Sequence, residues 1–112
     1  MIYHIISNQL WSSVKKGLEF CPASLEDEGF IHCSDLEKVV TVANSIYSGQ
    51  SNMVLLELDE NLVRPEIVWE DLYNLNYKYP HIYGPLNLDA VIGVHDLQTD
   101  SQGNFQLPDT LK

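Results

Sequence analysis

The stretch "EGFIHCSDLEKVVTVANSIYSG", residues 28 to 49, decides how the chain folds. Glu28 and Gly29 end a polar loop, and Phe30, Ile31 and Cys33 are strand formers. Ser34 then opens a helix: with Glu37 three residues on it has the pattern of a capping box, and Asp35 suits the positive first turn. Leu36, Val39, Val40, Ala43, Ile46 and Tyr47 recur at helical spacing, so one face of this helix is apolar, and Gly49 ends it. The oddity is His32. It stands in the middle of the strand, where Val or Ile would serve a core better.

Working outward, residues 2 to 6, "IYHII", read as a first strand, and Ser7 or Asn8 caps a helix "QLWSSVKK" that ends before Gly17. Leu10, Trp11 and Val14 should face the core. "LEFCPASLEDE" reads as a loop with one helical turn after Pro22. On the other side, "MVLLELD" (53–59) is almost continuously apolar, as a central strand covered on both faces would be. "EIVWED" (66–71), "HIYGPL" and "DAVIGVHDL" (89–97) read as further strands, with irregular aromatic chain in "LYNLNYKYP" and a polar, loosely held tail from Gln98. The order is β-α-β-α-β-β-β-β. Helices come early and strands gather late, which is α+β and not a doubly wound α/β sheet. There is no GxGxxG and no P-loop.

At 112 residues the chain is expected to be one domain, residues 1–112, long enough to bury a core. No apolar run reaches the ~20 residues of a membrane span. The start has no basic n-region or cleavage site, so no signal peptide is expected and the expected location is cytoplasmic. Cys21 and Cys33 show no CxxC or finger spacing, so both are expected to be reduced thiols rather than zinc ligands. Sixteen acidic residues against six basic give a net charge of −10, which would repel a polyphosphate backbone. A long RNA or DNA partner is therefore disfavoured, while a small nucleotide-like ligand in a pocket is not.

The candidate chemistry rests on four histidines, sorted by strand alternation. His4 shares a face with Ile2 and Ile6, His32 with Phe30 and Ser34, His81 with Tyr83, and His95 with Val91 and Gly93. Each alone is more often a packed residue than a ligand. In "PHIYGP", however, Pro80 and Pro85 stiffen the backbone and Gly84 lets it approach something closely, which suits a ligand wall. No histidine spacing matches a metal motif. Trp11 and Trp69 are expected in the core, and Glu70 is expected to face water. Cys33 is not expected to pair with His32, because strand neighbours point to opposite faces.

The segments "IYHI", "KKGLEF", "EGFIHCS", "MVLLELD" and "PHIYGPLNLDAVIGV" together resemble the domain-of-unknown-function 952 family over roughly residues 2 to 97. That family is placed in the ADP-ribosyltransferase-like superfamily. The resemblance implies a split, mostly antiparallel sheet with two main helices, and NAD as cofactor or substrate. His4 in the first strand and Gly17-Leu18 after the first helix resemble the superfamily's first motif. Gly29 to His32 before a helix resemble the second. The third motif, a strand start that usually carries a catalytic glutamate, falls by order on "HIYG", with His81 as nearest candidate. By resemblance, then, His4 anchors a ribose hydroxyl and His32 stacks on the nicotinamide end or acts as acid and base. His81 with Tyr83 orients the reacting ribose. Apart from the resemblance, Ser34 at a helix N-terminus is placed to contact an anion with the free backbone N–H groups there, although its ordinary role as a cap needs no ligand. The implied activities are ADP-ribosyl or phosphoryl transfer, or hydrolysis, with NAD. The alternative is a binding module that holds a nucleotide or other small metabolite without turnover.

Overall fold

The structure, a computed structural model, describes every residue from Met1 to Lys112. It is a mixed α+β fold in which every strand pairing is antiparallel. The main sheet has the order β1-β4-β8-β9, formed by Ile2–Ser7, Met53–Leu58, Val91–Thr99 and Phe105–Gln106. A second sheet, β3-β6-β5, is formed by Ile31–His32, Tyr79–Tyr83 and Glu66–Glu70. A two-stranded ribbon joins β2 (Glu19–Phe20) to β7 (Leu86–Asn87). The helices are α1 (Asn8–Val14), a short α2 (Ala23–Asp27) and α3 (Val39–Ile46). None is long and apolar enough to cross a membrane.

Strand β4 shows why its sequence is nearly all apolar. It lies between β1 and β8, and both its faces are covered. Val54, Leu56 and Leu58, with Ile2 and Ile6 of β1, pack against Phe20, Ile31, Ile82 and Leu86 from the smaller sheets. Met53 and Leu55, with Tyr3, Ile5 and Leu97, pack against Val39 and Ala43 of α3. The one charged residue in the run, Glu57, lies opposite Gly93 of β8. A Cβ at 93 would come within 2.8 Å of the Glu57 carboxylate and 2.9 Å of His95 Nε2, so a larger residue there would have to displace the ends of these two side chains.

Of the apolar stripe expected on the second main helix, Val39 and Ala43 are buried and Val40 and Tyr47 pack against the core, but Leu36 lies ahead of the helix and Ile46 is exposed, and the start of the helix also differs. Ser34 does not cap it. Its backbone N–H donates to Tyr3 and its carbonyl accepts from Tyr3, both at 2.8 Å, which ties it to the main sheet as an extended bridge. The Asp35 carboxylate accepts from the Lys38 N–H at 2.9 Å instead, and regular helix begins at Val39. The bridge holds Ser34 extended four residues ahead of the helix's N-cap position, Lys38, too far upstream to cap it; Ser7, by contrast, both pairs with Met53 at the end of β1 and caps α1 by accepting from the Leu10 N–H at 3.1 Å. Trp69 is a second correction: it lies on β5, the edge of its sheet, and is 40% exposed, whereas Trp11 packs against the core as expected. The third concerns the tail. β8 runs on to Thr99 and β9 returns alongside it, with Phe105 only 3% exposed. Asn44 of α3 holds the Phe105 backbone from both sides, accepting from its N–H at 2.7 Å and donating to its carbonyl at 3.3 Å.

Candidate functional site

The β3–β6 pairing creates the site. His32 and His81 stand directly opposite each other across the two strands. Opposed side chains on one face of a sheet are neighbours, and here the imidazole rings meet edge to face with centroids 5.6 Å apart. Phe30 locks them in place, stacked on His81 at 4.1 Å and edge-on to His32 at 4.9 Å. The close approach that "HIYGP" suggests is real but structural: a Cβ on Gly84 would lie 2.9 Å from Pro65, the residue that leads into β5.

Each histidine has its own carboxylate. Glu70 of β5 accepts from His81 Nδ1 at 2.8 Å and also from the Tyr83 hydroxyl. Glu28 accepts from His32 Nε2 at 3.0 Å and from the Tyr73 hydroxyl at 2.8 Å. A carboxylate only accepts, so these contacts put the ring proton on Nδ1 of His81 and on Nε2 of His32. The other nitrogen of each ring has no hydrogen-bond partner in the fold, and in the neutral ring it carries the lone pair. No buried side-chain nitrogen or oxygen lacks a partner, so the unpaired Nε2 of His81 keeps contact with solvent although the residue is only 2% exposed.

The hydrogen bonds also hold the carboxylates ionised. The Tyr83 hydroxyl, then His81, keep the Glu70 carboxyl below its ordinary range, and His32, then Tyr73, do the same for Glu28. The Glu70 carboxylate in turn pushes the Tyr83 phenol up to about 12.

These histidines open on a cleft of about 420 Å3 between β1, β3 and β6 on one side and α3 on the other. His32, His81 and Ser34 line it. So do Thr41, Ser45 and Tyr47 at the helix, Tyr3 at the sheet, Tyr73 and Leu75 from the aromatic loop, and Tyr79 at the start of β6. That loop is irregular, as its sequence suggests, but it is held. The Asp71 carboxylate accepts from the N–H groups of Leu75 and Asn76, both at 2.9 Å, while Asn74 and Asn76 take left-handed conformations.

Of the residues singled out from sequence, His32, His81 and Ser34 come together in the cleft. His4 lies behind them. Its Nδ1–H donates to the His32 carbonyl at 2.6 Å, and burial lowers its pKa, so it is neutral. It braces the strand that carries His32 and is not among the lining residues. Tyr83 lies outside the cleft and is linked to His81 through Glu70 and through the Phe30 ring, whose centroid lies 5.4 Å from its own. His95 is elsewhere, bonded to Glu57 at 2.9 Å and to Thr110 at 2.7 Å. Cys33 belongs to the core beneath the cleft, where burial pushes its thiol pKa up and leaves it protonated.

Glu70 and Glu28 are what the sequence reading missed. Glu70 is not turned to water; its carboxylate joins His81 to Tyr83. Alternation shows that Glu66, Val68 and Glu70 share one face of β5, and that Tyr79, His81 and Tyr83 share one face of β6. Only the register, Val68 opposite His81, shows that these are the same face.

Three solved structures resemble the whole fold. The crystal structure of protein CC0527 from Caulobacter crescentus is 33% identical, covers 98% of this chain and 96% of its own, and has a TM-score of 0.86. A double mutant of that protein gives 0.85. Its solution NMR structure gives 0.83, with coverage of 97% and 94%. A comparison with curated proteins found no match. Residues 5–94 match the family described as "Protein of unknown function (DUF952)". The chain is a member of the DUF952 family.

Proposed function

We propose that the cleft holds a nucleoside-like metabolite and that His32 and His81 act on it as general acid and base. The observation that carries this reading is the pair of opposed histidines, each with one nitrogen bonded to an ionised carboxylate and the other free. A carboxylate behind an imidazole fixes its tautomer and stabilises the protonated ring, the arrangement general bases use. Glu70 has a second use. It is a negative group held ionised beside the site, suited to stabilising positive charge that develops on a substrate as a bond breaks.

NAD or an ADP-ribose-related ligand enters through the resemblance to ADP-ribosyltransferase-like proteins. On that reading Glu70 supplies the carboxylate that the third motif lacks at His81, and Ser34 lies within reach of a ligand as a wall residue rather than as a helix cap. The fit is partial. The volume suits a nucleoside, and the tyrosines and histidines suit a ring. No lysine or arginine lines the cleft to meet a pyrophosphate. What this chain's residues do is therefore derived without NAD: Tyr3, Tyr73 and Tyr79 bound the ring, His32 and His81 move protons at Nδ1 and Nε2, and His4 and Phe30 hold the two imidazoles in register.

A binding module without turnover is the second reading. Thermal unfolding with and without millimolar NAD, nicotinamide riboside and adenosine tests both. A ligand at about a hundred times its dissociation constant adds roughly 2.7 kcal/mol, several degrees for a domain of this size. The proposal expects such a shift for at least one of them, and its loss in His32→Ala. Nicotinamide release then separates enzyme from module. No shift with any of the three contradicts the reading.

A further inference from the structure

We infer that the cleft selects a small organic cation, a quaternary ammonium or N-alkylated pyridinium group, and rejects phosphate-bearing ligands; this rests on the cleft's being a ligand site. Four tyrosines line it, Tyr3, Tyr47, Tyr73 and Tyr79, and none of the six lysines and arginines does. The faces of aromatic rings attract cations, most strongly where water is excluded. Behind the lining stand the carboxylates of Glu28 and Glu70, held ionised by their hydrogen bonds. The wall next to the cleft already holds one cation in this way. The Lys38 ammonium lies 4.8 Å over the Tyr77 ring, and Tyr77 packs against Tyr79 with centroids 5.2 Å apart.

A second, independent feature points to a ligand here. His81 lines the cleft, and its Nε2, which reaches solvent, has no partner within the fold. It offers a hydrogen-bond acceptor beside the rings. A cation with a hydroxyl or amide group satisfies both features, with its charge over the tyrosines and its donor on Nε2. A phosphate satisfies neither. It would meet two carboxylates and a chain of net charge −10 with no lining cation to offset them.

Matched pairs test this by calorimetry on the whole chain: choline against its uncharged tert-butyl isostere, and the N-methylnicotinamide cation against nicotinamide. Adenosine and AMP complete the set. The charged member of at least one pair should bind tenfold or more tighter than its neutral partner, and added salt should narrow the gap. AMP should not compete. Tyr73 is half exposed, so Tyr73→Leu should fold and should reduce the charged ligand's advantage several-fold, while Tyr73→Phe, which keeps the ring, should retain most of it. Equal affinity within both pairs, or AMP as the best ligand, overturns the inference. If adenosine binds with no advantage for charge, the cleft remains a ligand site and only the selectivity claim fails. If nothing in the set binds, both fall.

Discussion

His81–Glu70 and His95–Glu57 are nearly the same object in two places. The nitrogen–oxygen distances are 2.8 and 2.9 Å, the imidazoles are 2% and 13% exposed, and the carboxylates 21% and 20%. What differs is the surroundings. His81 faces a second histidine across the ladder, stacks on Phe30 and borders a cleft with one nitrogen free. His95 has both nitrogens taken, one by Glu57 and one by Thr110 from the chain's last turn. The first pair is open to a ligand and the second is closed by the tail. A histidine beside a carboxylate is therefore no site in itself; concavity and a free nitrogen make it one.

The largest test of that contrast is in the core. Phe30→Ala and Phe105→Ala each remove a buried ring, 4% and 3% exposed, and each should cost about 3–5 kcal/mol in urea unfolding. Only Phe30→Ala should also abolish ligand binding at the cleft, because Phe30 holds both imidazoles. If Phe105→Ala abolishes it as well, the two regions are not independent. Next is the Tyr83 phenol, pushed up to about 12 by Glu70. In Glu70→Gln its ionisation, followed by NMR of labelled tyrosine, should return towards the ordinary value near 10. Glu57→Gln should leave it in place. An unmoved phenol in Glu70→Gln would mean that the network is not formed in solution.

A smaller effect is expected from the histidines themselves. His81→Ala should weaken any cleft ligand about tenfold, the size of one lost charge-assisted contact, whereas His95→Ala should change binding less than twofold by calorimetry. The smallest concerns His4. Burial lowers its pKa in the folded protein, so the unfolded chain takes up the proton first as pH falls below about 6.5. Stability contributed by neutral His4 is thus intact above that pH and is lost progressively below it. Urea midpoints between pH 7.5 and pH 5 should fall less steeply in His4→Gln than in the wild type. An equal slope would mean that His4 is not buried uncharged.

Much of this was legible in the sequence because it depends on local pattern. The apolar helical face carrying Val39, Val40 and Ala43, the doubly covered strand at 53–58 and the sorting of four histidines by alternation all follow from spacing within one segment. What was not legible depends on pairing between segments. Glu70 joins His81 only because β5 and β6 adopt one register, and a shift by one residue would turn its carboxylate to the other face. Ser34 has the right sequence for a cap, but its bridge to Tyr3, thirty-one positions earlier, holds it extended, and regular helix begins only at Val39. Trp69 looks like core until its strand proves to be an edge, and the polar tail hides Phe105, a buried residue that helps anchor it together with Leu107 and Leu111.

The most direct test of the cleft as the functional site is an NMR titration that follows all four histidine rings as nicotinamide riboside and the N-methylnicotinamide cation are added. The account predicts saturable shifts at His32 and His81, a small response at His4 through the His32 carbonyl, and none at His95. Shifts at His95 with silence at His32 and His81, or no shift at any ring with either ligand, would contradict it.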